Sequence, residues 1–157
     1  MVNNKIQELN QTWYTFNNNK ISQTEVIASG LNPNGIRYKD GYIYATQLVL
    51  PKVKSKNPTS ALYRFSALER NVKLSNTLND SHILFHTETV NKAVKFGLDG
   101  LAFDSQGNLY TADLGDAEVF KLTLDKAGKI THQERYAQLK NDVRIDGIIF
   151  DQHDNMY

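Results

Sequence analysis

The feature that most constrains this chain is one motif stated three times. Pro33–Tyr44 reads P-N-G-I-R-Y-K-D-G-Y-I-Y, Phe96–Tyr110 reads F-G-L-D-G-L-A-F-D-S-Q-G-N-L-Y, and Arg144–Tyr157 reads R-I-D-G-I-I-F-D-Q-H-D-N-M-Y. The shared pattern is Asn or Asp, Gly, Ile or Leu, any residue, Tyr or Phe, a turn, an aliphatic residue or Met, then Tyr. Each copy is a β-hairpin by its local chemistry. Apolar and polar residues alternate around Ile36 and Tyr38, and Lys39-Asp40-Gly41 carries the Asp-Gly signature of a tight two-strand turn. Ser105–Asn108 and Gln152–Asn155 stand in the same place in the other two copies.

Two further strands follow the second copy, in T-A-D-L-G-D-A-E-V-F-K-L-T-L and K-I-T-H-Q-E-R-Y-A-Q-L, with turns at Leu114-Gly115-Asp116 and Lys126-Ala127-Gly128. The unit is therefore four short antiparallel strands. Its repeat distance is 65 residues from Asn34 to Asp99 and 47 from Asp99 to Asp146. About 40–50 residues and four strands per unit describe a propeller blade. The longer interval contains Q-L-V-L-P-K-V-K-S-K-N-P-T-S, read as a loop inserted between the second and third strands.

The sequence thus predicts an all-β chain forming part of a β-propeller. Residues 12–31 supply the outer strands of one blade, 32–96 a second blade with its inserted loop, 97–143 a third, and 144–157 the first hairpin of a fourth. Eight Tyr and seven Phe among 157 residues suit half-buried pleated surfaces. Helix is expected at most around Ala67–Leu78. Because a propeller closes on itself with four to eight blades, and open blades leave unpaired edges, the missing part of the ring is expected from the same chain or a second one.

In a propeller the first strand of every blade lines the central channel, so equivalent positions form a ring around one mouth. Asn34, Asp99 and Asp146 share one motif position. Any single Asn-Gly or Asp-Gly is ordinary turn chemistry. Three at one repeat position set carboxylates facing each other, and a bound cation relieves their repulsion. Two carboxylates and an amide oxygen are hard ligands, suited to Ca²⁺ or, less selectively, Mg²⁺ or Mn²⁺.

At N-P-N-G-I-R-Y-K-D-G-Y-I-Y, L-D-G-L-A-F-D-S-Q-G-N-L-Y-T-A-D and I-D-G-I-I-F-D the chain resembles the gluconolactonase, regucalcin and paraoxonase-like lactonase group of six-bladed propellers. The likeness runs from about Trp13 and covers about half the family's length. It implies that Asn34 and Asp99 bind one catalytic divalent ion. It further implies that Asp99 acts as general base or orients a water in hydrolysis of a small-molecule lactone or ester. Two departures accompany it: the family's Glu ligand has no candidate here, and Asp146 lies in a blade where a further ligand is not the family's habit. G-L-A-F-D-S-Q-G-N-L-Y-T-A-D-L-G is also similar to the NHL-type propeller repeat, which implies a non-catalytic scaffold for a ligand or protein.

The remaining signals exclude more than they add. With 18 Lys and Arg against 17 Asp and Glu, the net charge of +1 gives no basis for a nucleic-acid or membrane-surface partner. There is no cysteine, so thiolate chemistry and disulfides are ruled out. The opening M-V-N-N-K-I-Q-E-L-N lacks an export-type apolar run, and the expected location is cytoplasmic. No G-x-S-x-G, H-E-x-x-H, Walker A or G-x-G-x-x-G pattern occurs. His82 and His86 read as the solvent side of a strand, His153 as a surface turn, and Asp113 and Asp116 as turn caps. Lys52, Lys54 and Lys56 read as solvated positions of the inserted loop.

Overall fold

A computed structural model describes residues 11–17, 20–140 and 142–157; the Met1–Asn10 segment read above lies outside them. The described residues are all-β, with no helix. The strands are β1 (Gln11–Asn17), β2 (Lys20–Ser29), β3 (Pro33–Lys39), β4 (Tyr42–Gln47), β5 (Thr59–Ser66), β6 (Val72–Lys73), β7 (Ile83–Glu88), β8 (Leu98–Phe103), β9 (Leu109–Asp113), β10 (Glu118–Leu124) and β11 (Ile130–Gln138). Two sheets are four-stranded antiparallel meanders, β3-β4-β5-β7 and β8-β9-β10-β11. The sheet that comes first in the chain, β1-β2-β6, pairs β6 parallel to β2 through Ala28–Val72 and Ser29–Lys73, so that β3-β4-β5-β7 is the second sheet and β8-β9-β10-β11 the third.

This last pairing corrects the sequence reading over Ala67–Leu78, the one segment where the sequence allows, at most, a short helix. Val72 and Leu74 are buried while Lys73 between them is exposed, a period of two that fits an extended strand and not a helical turn. Asn71 and Asn76 bracket the segment in left-handed backbone, at φ 56° and 59°, which Asn tolerates better than most residues. The inserted loop falls between β4 and β5, as its prolines indicated, with Leu50 fully buried and Lys52, Lys54 and Lys56 exposed.

Apolar side chains on facing sheets close two cores. Ile27, Leu31, Ala45, Tyr63 and Phe65 pack the first sheet onto the second. Tyr44, Leu62, Phe85, Leu98, Leu101, Leu109 and Leu122 pack the second onto the third. Ile148 lies against Ala102, Tyr110 and Val119, so the last hairpin covers the far face of the third sheet.

The hairpin turns show why the motif repeats its polar residues. Asp104 Oδ1 accepts hydrogen bonds from the amides of Gln106 (3.0 Å) and Asn108 (2.8 Å), and Oδ2 from Asn108 Nδ2 (2.8 Å) and the Tyr110 hydroxyl (3.2 Å). Asp151 repeats this with His153, Asn155 and Tyr157. The Asp, the Asn four residues later and the Tyr six residues later form one device, in which a carboxylate satisfies the turn's amides. The last hairpin closes through Ile149 and Tyr157, whose amides and carbonyls exchange bonds of 3.0 and 2.9 Å.

Candidate functional site

The Asn-Gly and Asp-Gly pairs interrupt regular pairing where they occur in strands. The register shifts between Pro33 and Ile36 on β3 and between Leu98 and Leu101 on β8, so Asn34-Gly35 and Asp99-Gly100 are bulges. A bulge re-aims side chains and sharpens local twist. Neither glycine has positive φ; close approach dictates them. A Cβ on Gly35 would stand 2.5 Å from the Asp99 carbonyl oxygen and 2.5 Å from Leu101 Cδ2. A Cβ on Gly100 would stand 2.3 Å from the Asp146 carbonyl oxygen and 2.9 Å from the Ile148 nitrogen. Gly35 and Gly100 thus each lie under the backbone of the next motif's acidic residue. The three positions that the sequence aligned are stacked side by side in space, in chain order.

Their side chains fare differently. Asn34 and Asp146 are exposed. Asp99 is 1% exposed, and its Oδ2 is buried without a hydrogen-bond partner. Burial first, and then the charge of Asp146, push the Asp99 carboxyl up to about 6. The Asp99 main chain is fixed from the neighbouring sheet: the Thr46 hydroxyl donates to the Asp99 carbonyl and accepts from the Gly35 amide at 2.9 Å. Thr111 donates to the Gly100 carbonyl at 3.2 Å. Sequence reasoning missed both threonines. The available signal was a hydroxyl inside otherwise apolar second strands, in Y-A-T and Y-T-A, where it must find a partner.

The other polar residues are structural. Asp113, 1% exposed, accepts from the Thr89 hydroxyl (3.0 Å) and the Asp116 amide (2.9 Å), and burial raises its pKa. Asp116 accepts from the amides of Val90 and Asn91, both at 2.7 Å. His86 and His153 are exposed, whereas His82 is half-buried, 3.0 Å from Asp80 and 3.6 Å from Glu69. Among the described residues no three His, Asp or Glu side chains form a metal cluster. The Asn34, Asp99 and Asp146 set is a different kind of donor group, two carboxylates and one amide. Among those residues, too, no helix is long and apolar enough to cross a membrane.

This arrangement defines the class: blades of four antiparallel strands, packed face to face with their first strands adjacent, are those of a β-propeller. Among solved structures the chain is similar to the PQQ-bound form of an aldose sugar dehydrogenase from Streptomyces coelicolor, with a TM-score of 0.58 and 11% identity. The match covers 79% of this chain and 36% of that one. At such identity the likeness establishes the fold alone. No protein-family model and no curated protein sequence matches the chain.

Proposed function

We propose that the chain contributes to a divalent-cation-dependent hydrolase of the lactonase type, acting on a small lactone or ester at the Asn34, Asp99 and Asp146 end of the inner strands. The observation that carries this reading is Asp99 Oδ2, a buried carboxylate oxygen with no partner beside a second carboxylate. Leaving such a group unsatisfied costs about 1–3 kcal/mol or more when charged, and a cation is the partner that offsets it. The donor chemistry fits: all three side chains offer hard oxygens suited to Ca²⁺, with Mg²⁺ or Mn²⁺ as weaker candidates. When bound, the cation supplies positive charge to a carbonyl oxygen and to the oxyanion that develops on it.

The chain's own residues do the rest. Asp99 accepts or orients the proton of the attacking water. Thr46 and Gly35 hold its backbone in register with the neighbouring blade. Completion of the ring falls to further blades, from this chain or a second one.

The test is turnover of a sugar δ-lactone with calcium, with and without chelator, by the wild-type chain and Asp99→Asn. Turnover lost in both controls supports the reading, and turnover unaffected by either removes it. A second reading, a binding scaffold without catalysis, is favoured by the exposure of Asn34 and by the lack of a third acidic or histidine ligand among the described residues. Calcium binding with no turnover selects it.

A further inference from the structure

A second site lies at the other end of the blades. A cleft of about 310 Å³ opens between the second and third sheets, beyond the interblade core. Its walls include Lys39, Tyr42, Arg64, Phe103, Lys126 and Gly128. Asp99 is the second residue of β8 and Ser105, also on the cleft, follows its end, so the two sites are about 20 Å apart at roughly 3.3 Å per strand residue.

Arg64 is the centre of this cleft. Its guanidinium lies 3.6 Å above the Tyr42 ring, and a Cβ on Gly128 would meet it at 2.3 Å, so it is held flat between an aromatic face and a glycine backbone. Gly128 has φ +75°, which places the β10–β11 turn under the guanidinium. Arg64 Nε is buried and has no hydrogen-bond partner, and among the described residues no carboxylate pairs with Arg64. The Tyr44 phenol beside it accepts a hydrogen bond from the Arg64 side chain, and burial raises its pKa.

Two acids, Asp40 and Asp125, also line the cleft. Asp125 Oδ1 accepts from the amides of Ala127 and Lys129, both at 2.9 Å. Asp40 is largely in solvent, 3.5 Å from Lys39. Lys39 extends over the Phe103 ring at 5.4 Å, and Lys126 borders the same space. A guanidinium immobilised in this way has little freedom left to lose on binding, and Arg64 lines the cleft.

We propose that this interblade cleft binds the oxyanion of a small ligand, a carboxylate or a phosphate monoester, with Arg64 as the principal donor, Lys39 and Lys126 as supporting cations, and Tyr42 and Phe103 packing an apolar body. It is independent of the cation site, and it sits between two complete four-stranded sheets of this chain.

The experiment is an NMR titration of the full chain with phenyl phosphate, benzoate and phenol. Saturable shifts of the Gly107 and Gly128 amides by either anion, weakened at least tenfold in Arg64→Gln, are expected; tenfold corresponds to 1.4 kcal/mol. Tighter binding of phenyl phosphate assigns a phosphate ligand and tighter benzoate a carboxylate, and either supports the site. If Arg64→Gln does not fold, the double variant Lys39→Gln/Lys126→Gln is expected to bind more weakly and with less salt dependence. Phenol shifting the same amides as strongly as the anions overturns the proposal. So do unsaturable shifts in the wild type, or wild-type affinity in a folded Arg64→Gln.

Discussion

Replacing the motif glycines one at a time separates interblade contact from turn chemistry. In Gly100→Ala the new methyl is placed 2.3 Å from the Asp146 carbonyl oxygen, 2.9 Å from the Ile148 nitrogen and 3.0 Å from Gly147 Cα. All three obstacles are backbone, so the last hairpin must move by about an ångström to restore ordinary contact. Overpacking of this kind costs about 1–3 kcal/mol. The loss of unfolded-state freedom on Gly→Ala gives back about 0.4–1 kcal/mol. Gly100→Ala is therefore expected to destabilise by about 1–2 kcal/mol. Gly147 provides the internal control, because its Cβ direction is open and its φ is not positive. Only the entropic gain operates there, so Gly147→Ala is expected to be neutral or stabilising by up to about 1 kcal/mol. Urea denaturation of the two variants beside wild type, with m-values compared, reads the difference directly. Equal midpoints for Gly100→Ala and Gly147→Ala would refute the view that these glycines exist to let inner strands approach one another.

Two further predictions concern carboxylates. Asp99 has a folded pKa of about 6, above its ordinary 3.8. The native state therefore binds its proton more tightly than the unfolded state, so stability is greatest below about pH 4 and falls as pH rises through 6. The loss is about 3 kcal/mol at most, from 1.36 kcal/mol per pH unit. In cation-free buffer Asp99→Asn is expected to be more stable than wild type at pH 8 and indistinguishable from it at pH 4, a pattern that thermal melts across pH will show or deny. Asp104→Ala removes the acceptor of four hydrogen bonds in the β8–β9 turn. It is expected to cost about 1.5–3 kcal/mol, seen as an earlier urea midpoint, and an unchanged midpoint would assign the repeated Asp no structural role.

The blade architecture was legible because its signals are local. Alternating apolar residues, Asp-Gly or Gly-Asn turns and a repeated Tyr lie within fifteen residues of one another in each copy. The pairing of β6 with β2 was not legible, since two strand residues, Val72 and Lys73, carry too little period to compete with the helical propensity of Ala67–Arg70. The candidate site was legible as positions and not as environments. Alignment of the motifs places Asn34, Asp99 and Asp146 at one level, yet only three-dimensional packing buries Asp99 and leaves its neighbours in solvent. Thr46 is invisible to the motif because its partner, Asp99, is 53 residues away. The Arg64 cleft escaped for the same reason, joining β5 of one blade to the β10–β11 turn of the next.

Calcium titration of wild type and Asp99→Asn by calorimetry tests the central claim most directly. A carboxylate at the centre of a cation site predicts saturable binding by wild type, a thermal stabilisation that grows with ln(1 + [Ca²⁺]/Kd), and at least tenfold weaker binding by Asp99→Asn. Equal affinities in the two proteins, or no binding by wild type, would contradict it.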